Sequence, residues 1–205
     1  MKNFTNEQLT KLLDSQDTLN SKYTSEKWRE EVPLSSYLTA MDTEIAEYLE
    51  SSPRVGDETL HYNNGWKWWK PTLENDNQNQ AIEVIDVLHF ALSVLMICHT
   101  KEEIIKQNED VSSFNYTENL PIQDILILKS VFVLDALTGS TESLLANLYG
   151  LLGVMSKSCG RELTDIYDGY FLKNELNLQR ILGGYIEGRY QKSVDGVEDN
   201  RSLDV

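Results

Sequence analysis

Apolar residues recur at helical spacing along most of this chain, with polar residues between them. Strand-like alternation is nearly absent, and the whole sequence contains only four prolines. A period of 3.6 residues without a period of two is typical of amphipathic helices. We therefore predict an all-α fold, a helical bundle, with helices spanning 6–21, 34–51, 78–99, 120–138, 141–158 and 161–182.

Capping and turn signals predict how the chain begins and ends. Thr5 and Gln8 have the spacing of a capping box, which favours a helix start. Gly183 and Gly184 form a natural helix stop. Beyond about residue 193 the sequence is irregular and acidic, and we predict a mobile tail there. The whole chain is predicted to be one domain.

Two polar stretches interrupt the helical pattern. The first, 51–80, contains Gly, Pro and Asn together with three tryptophans. A loop of this length inside a compact domain is often functional. The second, near 100–119, separates the most apolar predicted helix from the C-terminal half, and we predict no helix within it.

Composition narrows the classes of partner and compartment. Asp and Glu number 33 against 18 Lys and Arg, giving a formal charge of −15. A protein that binds nucleic-acid polymers or anionic membranes needs surplus positive charge, so neither is an expected partner of this acidic chain. Cys98 and Cys159 lie far apart without a metal-ligand spacing, which favours a reducing compartment and a cytoplasmic location.

Two pairs of carboxylates lie on the second and third predicted helices. Glu44 and Glu47 are three residues apart and project from neighbouring turns, an arrangement that is usually a solvated face. Glu83 and Asp86 have the same spacing, but almost all of the remaining positions from 82 to 98 are apolar. This apolar run is too short to cross a bilayer comfortably, so it predicts a buried core helix.

Asp86 is therefore expected to be at least partly buried. An ionised carboxylate in such surroundings costs several kcal/mol, to order of magnitude, unless it is compensated. Two explanations remain open. A lysine or arginine from another helix forms a salt bridge, or the four carboxylates together bind Mg²⁺, which prefers hard oxygen ligands.

Magnesium held by few protein oxygens typically serves a substrate that carries phosphates. Lys67 and Lys70 could meet such phosphates, as could Lys173, Asn177 and Arg180, which share one helix face. For the last three, a solvated amphipathic face is an equal alternative. No Walker-type phosphate loop is found, so the sequence gives no support to a kinase or GTPase.

Residues outside the carboxylate helices have the chemistry of a base-binding pocket. Gln16 and Asn20 continue the apolar face of the first helix, and their amides could match the polar edge of a pyrimidine. Hydrogen bonds to backbone in the core are an equal alternative. One of the three tryptophans, Trp66, Trp68 and Trp69, could cover a base, or all three simply pack.

Seven short motifs then occur in order along the chain: LLDSQDTLN near the start, Glu44-x-x-Glu47, WKWWK at 66–70, EVIDVLHF at 83–90, KNELN followed by Arg180, GGYIEGRYQK, and EDN at 198–200. In this order they resemble the dimeric dUTPases, members of the all-α, MazG-like nucleoside triphosphate pyrophosphatases. The tryptophan-lysine motif followed by ExxDxxHF is the most specific part of this resemblance.

The resemblance implies a homodimer that uses Mg²⁺, two or more ions per site, to hydrolyse dUTP and dUDP to dUMP. Such an enzyme limits uracil in DNA and supplies dUMP for dTMP synthesis. The implied metal ligands are Glu44, Glu47, Glu83 and Asp86, with Glu44 or Glu47 also the base that deprotonates water. The implied contacts to uracil and deoxyribose are Gln16, Asn20, Trp66, His89 and Phe90. The implied phosphate contacts are Lys67, Lys70, Lys173, Asn177, Arg180, Tyr185 and Lys192.

The chain departs from the family pattern around the phosphate contacts. Ile181 follows Arg180 where a glutamine is usual, and Ile186 replaces a lysine. One phosphate contact is then either absent or supplied by Arg189. Two other functions remain open: a relative that hydrolyses dCTP, alone or together with dUTP, and a non-catalytic helical interaction protein.

Overall fold

A computed structural model describes residues 2–51, 76–111 and 122–205. Trp66, Lys67 and Lys70 lie outside these ranges. Within them the chain forms eight α-helices and one two-stranded hairpin, so the all-α prediction is confirmed. The helices are α1 (Asn6–Tyr23), α2 (Trp28–Glu31), α3 (Leu34–Ser51), α4 (Asn77–Cys98), α5 (Lys101–Asn108), α6 (Ile122–Thr138), α7 (Thr141–Ser158) and α8 (Leu163–Leu182).

Helix α4 is the centre of the core and is buried on nearly all sides. Its most apolar window has a mean hydropathy of 2.1, enough for a membrane span by composition alone. However, 78 % of that window is buried inside the protein, against α1, α3, α7 and α8. The prediction of a buried core helix agrees with this packing, and the apolar side chains of α4 are covered by protein.

Helix α3 packs against α4 more extensively than any other helix does. Its apolar stripe includes Met41, Ile45 and Tyr48, all buried. The hydroxyl of Tyr48 donates a 3.0 Å hydrogen bond to the carbonyl of Met155, which ties α3 to α7. Because Glu44 lies between these apolar positions, burial of the stripe carries its carboxylate to the α3–α4 seam.

Two short helices were not predicted. In α2, Trp28 is fully buried and its indole N–H donates to Asp17 at 2.8 Å. Helix α5 occupies part of the segment near 100–119, where the prediction of no helix is wrong. Thr100 and Glu103 form a capping box there, a local signal that the polar composition obscured. The capping box predicted for Thr5 and Gln8 is confirmed.

The C-terminal segment was predicted to be irregular and mobile; it contains regular structure, and its mobility stays a prediction. It forms a hairpin of β1 (Ser193–Val194) and β2 (Val197–Glu198). The connecting residues, Asp195 and Gly196, have φ of 53° and 80°. An Asp-Gly pair favours such two-residue hairpin turns, because both positions need positive φ.

The residues after the hairpin bind to the helices. The carboxylate of Asp199 accepts hydrogen bonds from the guanidinium of Arg180 on α8. Arg201 donates to Asp76 at 2.6 Å, at the start of α4. The side-chain amide of Gln78 donates to the carbonyl of Leu203 at 2.9 Å. These ion pairs and hydrogen bonds hold the segment against α4 and α8.

Asn108, at the end of α5, joins three parts of the chain. Its amide nitrogen donates to the carbonyl of Phe4 at 3.1 Å and to Asn6, and its oxygen accepts from the Tyr149 hydroxyl at 2.6 Å. We expect Asn108→Ala to lower the free energy of unfolding by about 2 kcal/mol, because buried partners lose their hydrogen bonds. Chemical denaturation measures this.

The matched control is Glu102→Ala, which removes an exposed side chain from the same helix. It should change the free energy of unfolding by less than about 0.5 kcal/mol. Equal effects of the two substitutions would contradict the role assigned to Asn108.

Candidate active site

A cavity of about 460 Å³ opens between α1, α3, α4, α8 and the C-terminal segment. Every predicted site residue in the described ranges lines it: Gln16, Asn20, Glu44, Glu47, Glu83, Asp86, His89, Phe90, Lys173, Asn177, Arg180, Tyr185 and Lys192. The structure thus brings together residues that are up to 176 positions apart in the chain, from Gln16 to Lys192. Their individual functions stay predictions.

Three carboxylates meet at the seam between α3 and α4. One oxygen each from Glu44, Glu83 and Asp86 lies within 4.8 Å of the others. Glu83 is 5 % exposed. Glu47 lines the same cavity but is exposed and lies outside this group. Glu44 and Asp86 are half-buried, so the four predicted ligands divide into a partly buried triad and one exposed carboxylate.

The triad is electrostatically unfavourable in the protein alone. Burial raises the pKa of Glu44, and the negative charges of Asp86 and Glu47 raise it further. Burial also raises the pKa of Glu83, again reinforced by Asp86 and Glu44. Each shift means that the ionised form is disfavoured by its neighbours. A bound cation would reverse the sign of that interaction.

One protein cation partly compensates the triad. Lys173 on α8 is 3 % exposed, and its ammonium donates to the Asp86 carboxylate at 2.6 Å. Asn79 adds a neutral hydrogen bond of 2.9 Å to Glu83. The salt-bridge explanation from the sequence is therefore correct for Asp86, although it does not account for the other two carboxylates.

The donor set fits a hard divalent cation. Three carboxyl groups converge and only one ammonium contacts them in the described part of the chain, so Glu44 and Glu83 have no cationic partner there. All three donors are oxygens, which Mg²⁺ prefers. The converging oxygens also lie on two packed helices, which hold ligands more precisely than loops do.

The C-terminal segment holds Arg180 in place on the α8 wall of the cavity. Its guanidinium forms a two-pronged ion pair with Asp199 and donates to Asn177 at 3.2 Å. The Tyr190 hydroxyl donates to Asp199 at 2.8 Å. Arg180 is 4 % exposed. The guanidinium that was predicted to meet phosphate is thus already oriented by a carboxylate.

The far end of the cavity is a neutral hydrogen-bond network. The Gln16 oxygen accepts from His89 Nδ1 at 2.7 Å and from the Tyr170 hydroxyl at 2.9 Å. Its amide nitrogen donates to Asn20 at 2.9 Å and to Ser93 at 3.2 Å. All four hydrogen-bonding positions of the Gln16 amide are used, so Gln16 shapes this wall without a free donor or acceptor.

Asn20 retains some capacity. Its nitrogen donates to the Ser93 hydroxyl at 2.9 Å, and its oxygen accepts from Gln16. One N–H and one oxygen lone pair have no partner among the contacts of the described residues. Burial, together with the positive charge of Lys173, lowers the pKa of His89 to about 3, so its imidazole is neutral.

Two buried acceptors at the cavity have no hydrogen-bond partner within the ranges that the structure describes. They are Nε2 of His89 and Oδ1 of Asn200. Both residues line the cavity and are less than 7 % exposed. Buried polar atoms in native proteins are nearly always satisfied. These two atoms therefore keep unused acceptor capacity beside the cavity.

Comparison with known protein families identifies the family of this chain. A family model described as dUTPase matches residues 8–185. The chain belongs to the dUTPase family. This membership makes it a dUTP diphosphatase, a hydrolase acting on acid anhydrides. No curated protein was found to match the chain.

Sequence reasoning missed several residues of this dUTPase cavity. Leu19, Tyr23 and Tyr37 line it, but on a helical apolar stripe they cannot be distinguished from core residues. Glu198 and Asn200 also line it and belong to the EDN motif. Their place there depends on the hairpin, whose Asp-Gly turn was the available signal.

Arg189, offered as a substitute phosphate contact, does not line the cavity of this dUTPase. Its guanidinium lies 3.7 Å from Glu187, and both side chains are exposed. Of the two alternatives for Ile186, the structure therefore gives no support to replacement by Arg189.

The Lys173–Asp86 pair of this dUTPase generates a stability prediction. We expect Lys173→Met to lower the free energy of unfolding of the metal-free protein by about 3 kcal/mol, because it leaves Asp86 beside two other carboxylates. The double variant Lys173→Met with Asp86→Asn should recover most of this loss. Denaturation of the wild type, Lys173→Met, Asp86→Asn and the double variant in a chelator gives the coupling energy.

The control is Lys11→Met, which breaks the exposed Lys11–Glu7 pair on α1. Exposed pairs contribute little, so its melting temperature should not change. A double variant that is less stable than Lys173→Met alone would contradict the pairing.

Proposed function

We propose that this dUTPase is Mg²⁺-dependent and converts dUTP to dUMP and pyrophosphate, with the ions held by Glu44, Glu47, Glu83 and Asp86. The observation that carries this proposal is the partly buried carboxylate triad, in a cavity whose α8 wall bears Lys173 and Arg180. Such an arrangement suits a substrate whose phosphates neutralise the ions and contact the cations. The family resemblance extends the proposal to dUDP.

The two ends of the cavity differ in chemistry, which supports one orientation of the nucleotide. Asp86 and His89 are three residues apart on α4, so the carboxylates and the neutral network are about one helical turn apart, roughly 5 Å along the axis. Phosphates belong at the charged end. The base belongs beside Asn20, His89 and Phe90, where neutral donors and acceptors meet an aromatic ring.

We assign the proton-accepting function to Glu47 in preference to Glu44. Glu44 is a member of the triad, whereas Glu47 lies outside it and lines the same cavity. A carboxylate there can orient the attacking water and accept its proton as the anhydride between the α and β phosphates breaks. Divalent ions, when bound, supply positive charge that stabilises the phosphate oxygens and makes water a better nucleophile.

The cations of α8 then stabilise the departing phosphate. Lys173 is bonded to Asp86 in the protein alone, and an ion at the triad would replace it there. Its ammonium could then contact phosphate. The guanidinium of Arg180 is held by its ion pair with Asp199, and another of its N–H groups donates to Asn177. Lys192 lies over the ring of Tyr185, 5.5 Å from its centroid, at the edge of the same cavity.

Hydrolysis of dUTP tests the proposal directly. Product analysis should show dUMP and pyrophosphate in Mg²⁺, and none in excess chelator. Glu83→Gln and Asp86→Asn should lower kcat by at least about 100-fold, because each removes a ligand charge and not merely a supporting contact. Glu102→Gln, an exposed change on α5, should retain full activity. Equal rates with and without Mg²⁺ would contradict the proposal.

We also propose that two copies of the chain form a homodimer through the outer face of α6. This face exposes five large apolar side chains, Leu126, Ile127, Val131, Leu134 and Leu137, each between 36 % and 64 % accessible. A patch of this kind on a helix marks an interaction surface.

A cytoplasmic location is a separate proposal. The two cysteines are unpaired, which agrees with this location.

Light scattering during size-exclusion chromatography tests the dimer. The wild type should have twice the 23.5 kDa mass of the chain. Ile127→Lys combined with Leu134→Lys should give the single-chain mass, because two charges would be buried at the interface. Leu182→Lys makes the same kind of substitution, apolar to lysine, at an 87 % exposed position on α8, and this variant should remain a dimer. A double variant of unchanged mass would contradict this surface.

A further inference from the structure

Ser93 lies behind the cavity wall and has no access to solvent. Its hydroxyl donates to the carbonyl of His89, one turn earlier on α4, at 3.0 Å. A serine hydroxyl has one proton, so its remaining interactions must be as an acceptor. The two amide groups that contact it, from Gln16 and Asn20, must therefore turn their nitrogens towards it.

This constraint propagates through the network. With its nitrogen at Ser93 and at the Asn20 oxygen, Gln16 presents its oxygen to His89 and Tyr170. Because that oxygen only accepts, the neutral imidazole of His89 carries its proton on Nδ1. Its Nε2, which is buried at the cavity without a protein partner, is then an acceptor.

Every other member of the network could reverse its polarity. The amides of Gln16 and Asn20 can rotate by half a turn, and the His89 proton can move to Nε2. The Tyr170 hydroxyl has the Leu12 carbonyl as a second acceptor at 3.4 Å. Ser93 opposes this reversal, because two amide oxygens would then face a hydroxyl whose single proton, now donated to α4, could serve only one of them.

The polarity of the network decides which base the cavity accepts. In the observed polarity, Asn20 has one free N–H and one free lone pair, and His89 offers an acceptor. The uracil edge carries a carbonyl acceptor beside an N–H donor, whereas the cytosine edge carries an amino donor beside a ring-nitrogen acceptor. A fixed Asn20 amide can match only one of these edges, while a rotating amide matches both.

We propose that Ser93 is a positioning residue that fixes Asn20 and His89 in the polarity that accepts uracil and rejects cytosine. This inference rests on the proposed preference for dUTP and identifies the group that sets it. Ser93 does not touch the nucleotide. It acts through the two amides and the imidazole, all held on α1 and α4.

Steady-state kinetics with dUTP and dCTP test this. For the wild type we expect kcat/KM to favour dUTP by about 100-fold or more, since a mismatched buried hydrogen bond is costly. In Ser93→Ala neither polarity is excluded, so the ratio should fall by about tenfold or more, mainly through faster turnover of dCTP. Ser156→Ala, a matched deletion at a buried serine of α7, should leave the ratio unchanged.

The outcomes separate this inference from the function on which it rests. A wild type without preference overturns both the dUTP preference and the role of Ser93. A wild-type preference that Ser93→Ala retains overturns only the role of Ser93. A fall in the ratio that Ser156→Ala reproduces assigns the effect to core loosening and also overturns that role.

A spectroscopic measurement on the wild type remains decisive if Ser93→Ala does not fold. Long-range ¹H–¹⁵N correlation spectra of histidine-labelled protein report which ring nitrogen carries the proton. His89, assigned by comparison with His89→Gln, should be neutral with the proton on Nδ1. A proton on Nε2 would show the opposite polarity and overturn the proposal.

Discussion

The structure depends on one unfavourable arrangement, the crowding of three carboxyl groups at the α3–α4 seam. Apolar packing of α3 on α4 brings Glu44, Glu83 and Asp86 together, and in the described part of the chain the one lysine that contacts them pairs with Asp86. Burial and mutual repulsion both oppose ionisation of Glu44 and Glu83. Such stored destabilisation is the common cost of a functional site, and in the proposed function cation binding would relieve it.

The two helices that flank the cavity each serve both of its ends. Helix α4 carries the carboxylates and, one turn later, the neutral network around His89 and Ser93. Helix α8 carries Tyr170 towards that network, then Lys173 and Arg180 towards the charged end. The charged and the neutral ends of the cavity are thus held in fixed register by helix geometry, which positions side chains more precisely than loops can.

The helical period of the apolar residues was sufficient to predict much of this architecture, but it could not predict the contacts between distant parts of the chain. Glu83 and Asp86 were predictable because charged residues in an apolar helix require compensation. Lys173 was predicted as a phosphate contact, yet no local pattern reveals that it pairs with Asp86, 87 residues earlier. Asp199 reaches Arg180 only because the hairpin turns the chain back. Ser93 and Tyr170 resemble core residues, since their function lies in hydrogen bonds to other helices.

Anomalous diffraction from crystals grown with Mn²⁺ and α,β-imido-dUTP tests the central claim most directly. The account predicts Mn²⁺ peaks within about 2.5 Å of oxygens from Glu44, Glu83 and Asp86, with Lys173 displaced from Asp86 towards phosphate. Bound nucleotide with no anomalous peak at the triad, and Lys173 still paired with Asp86, would contradict it.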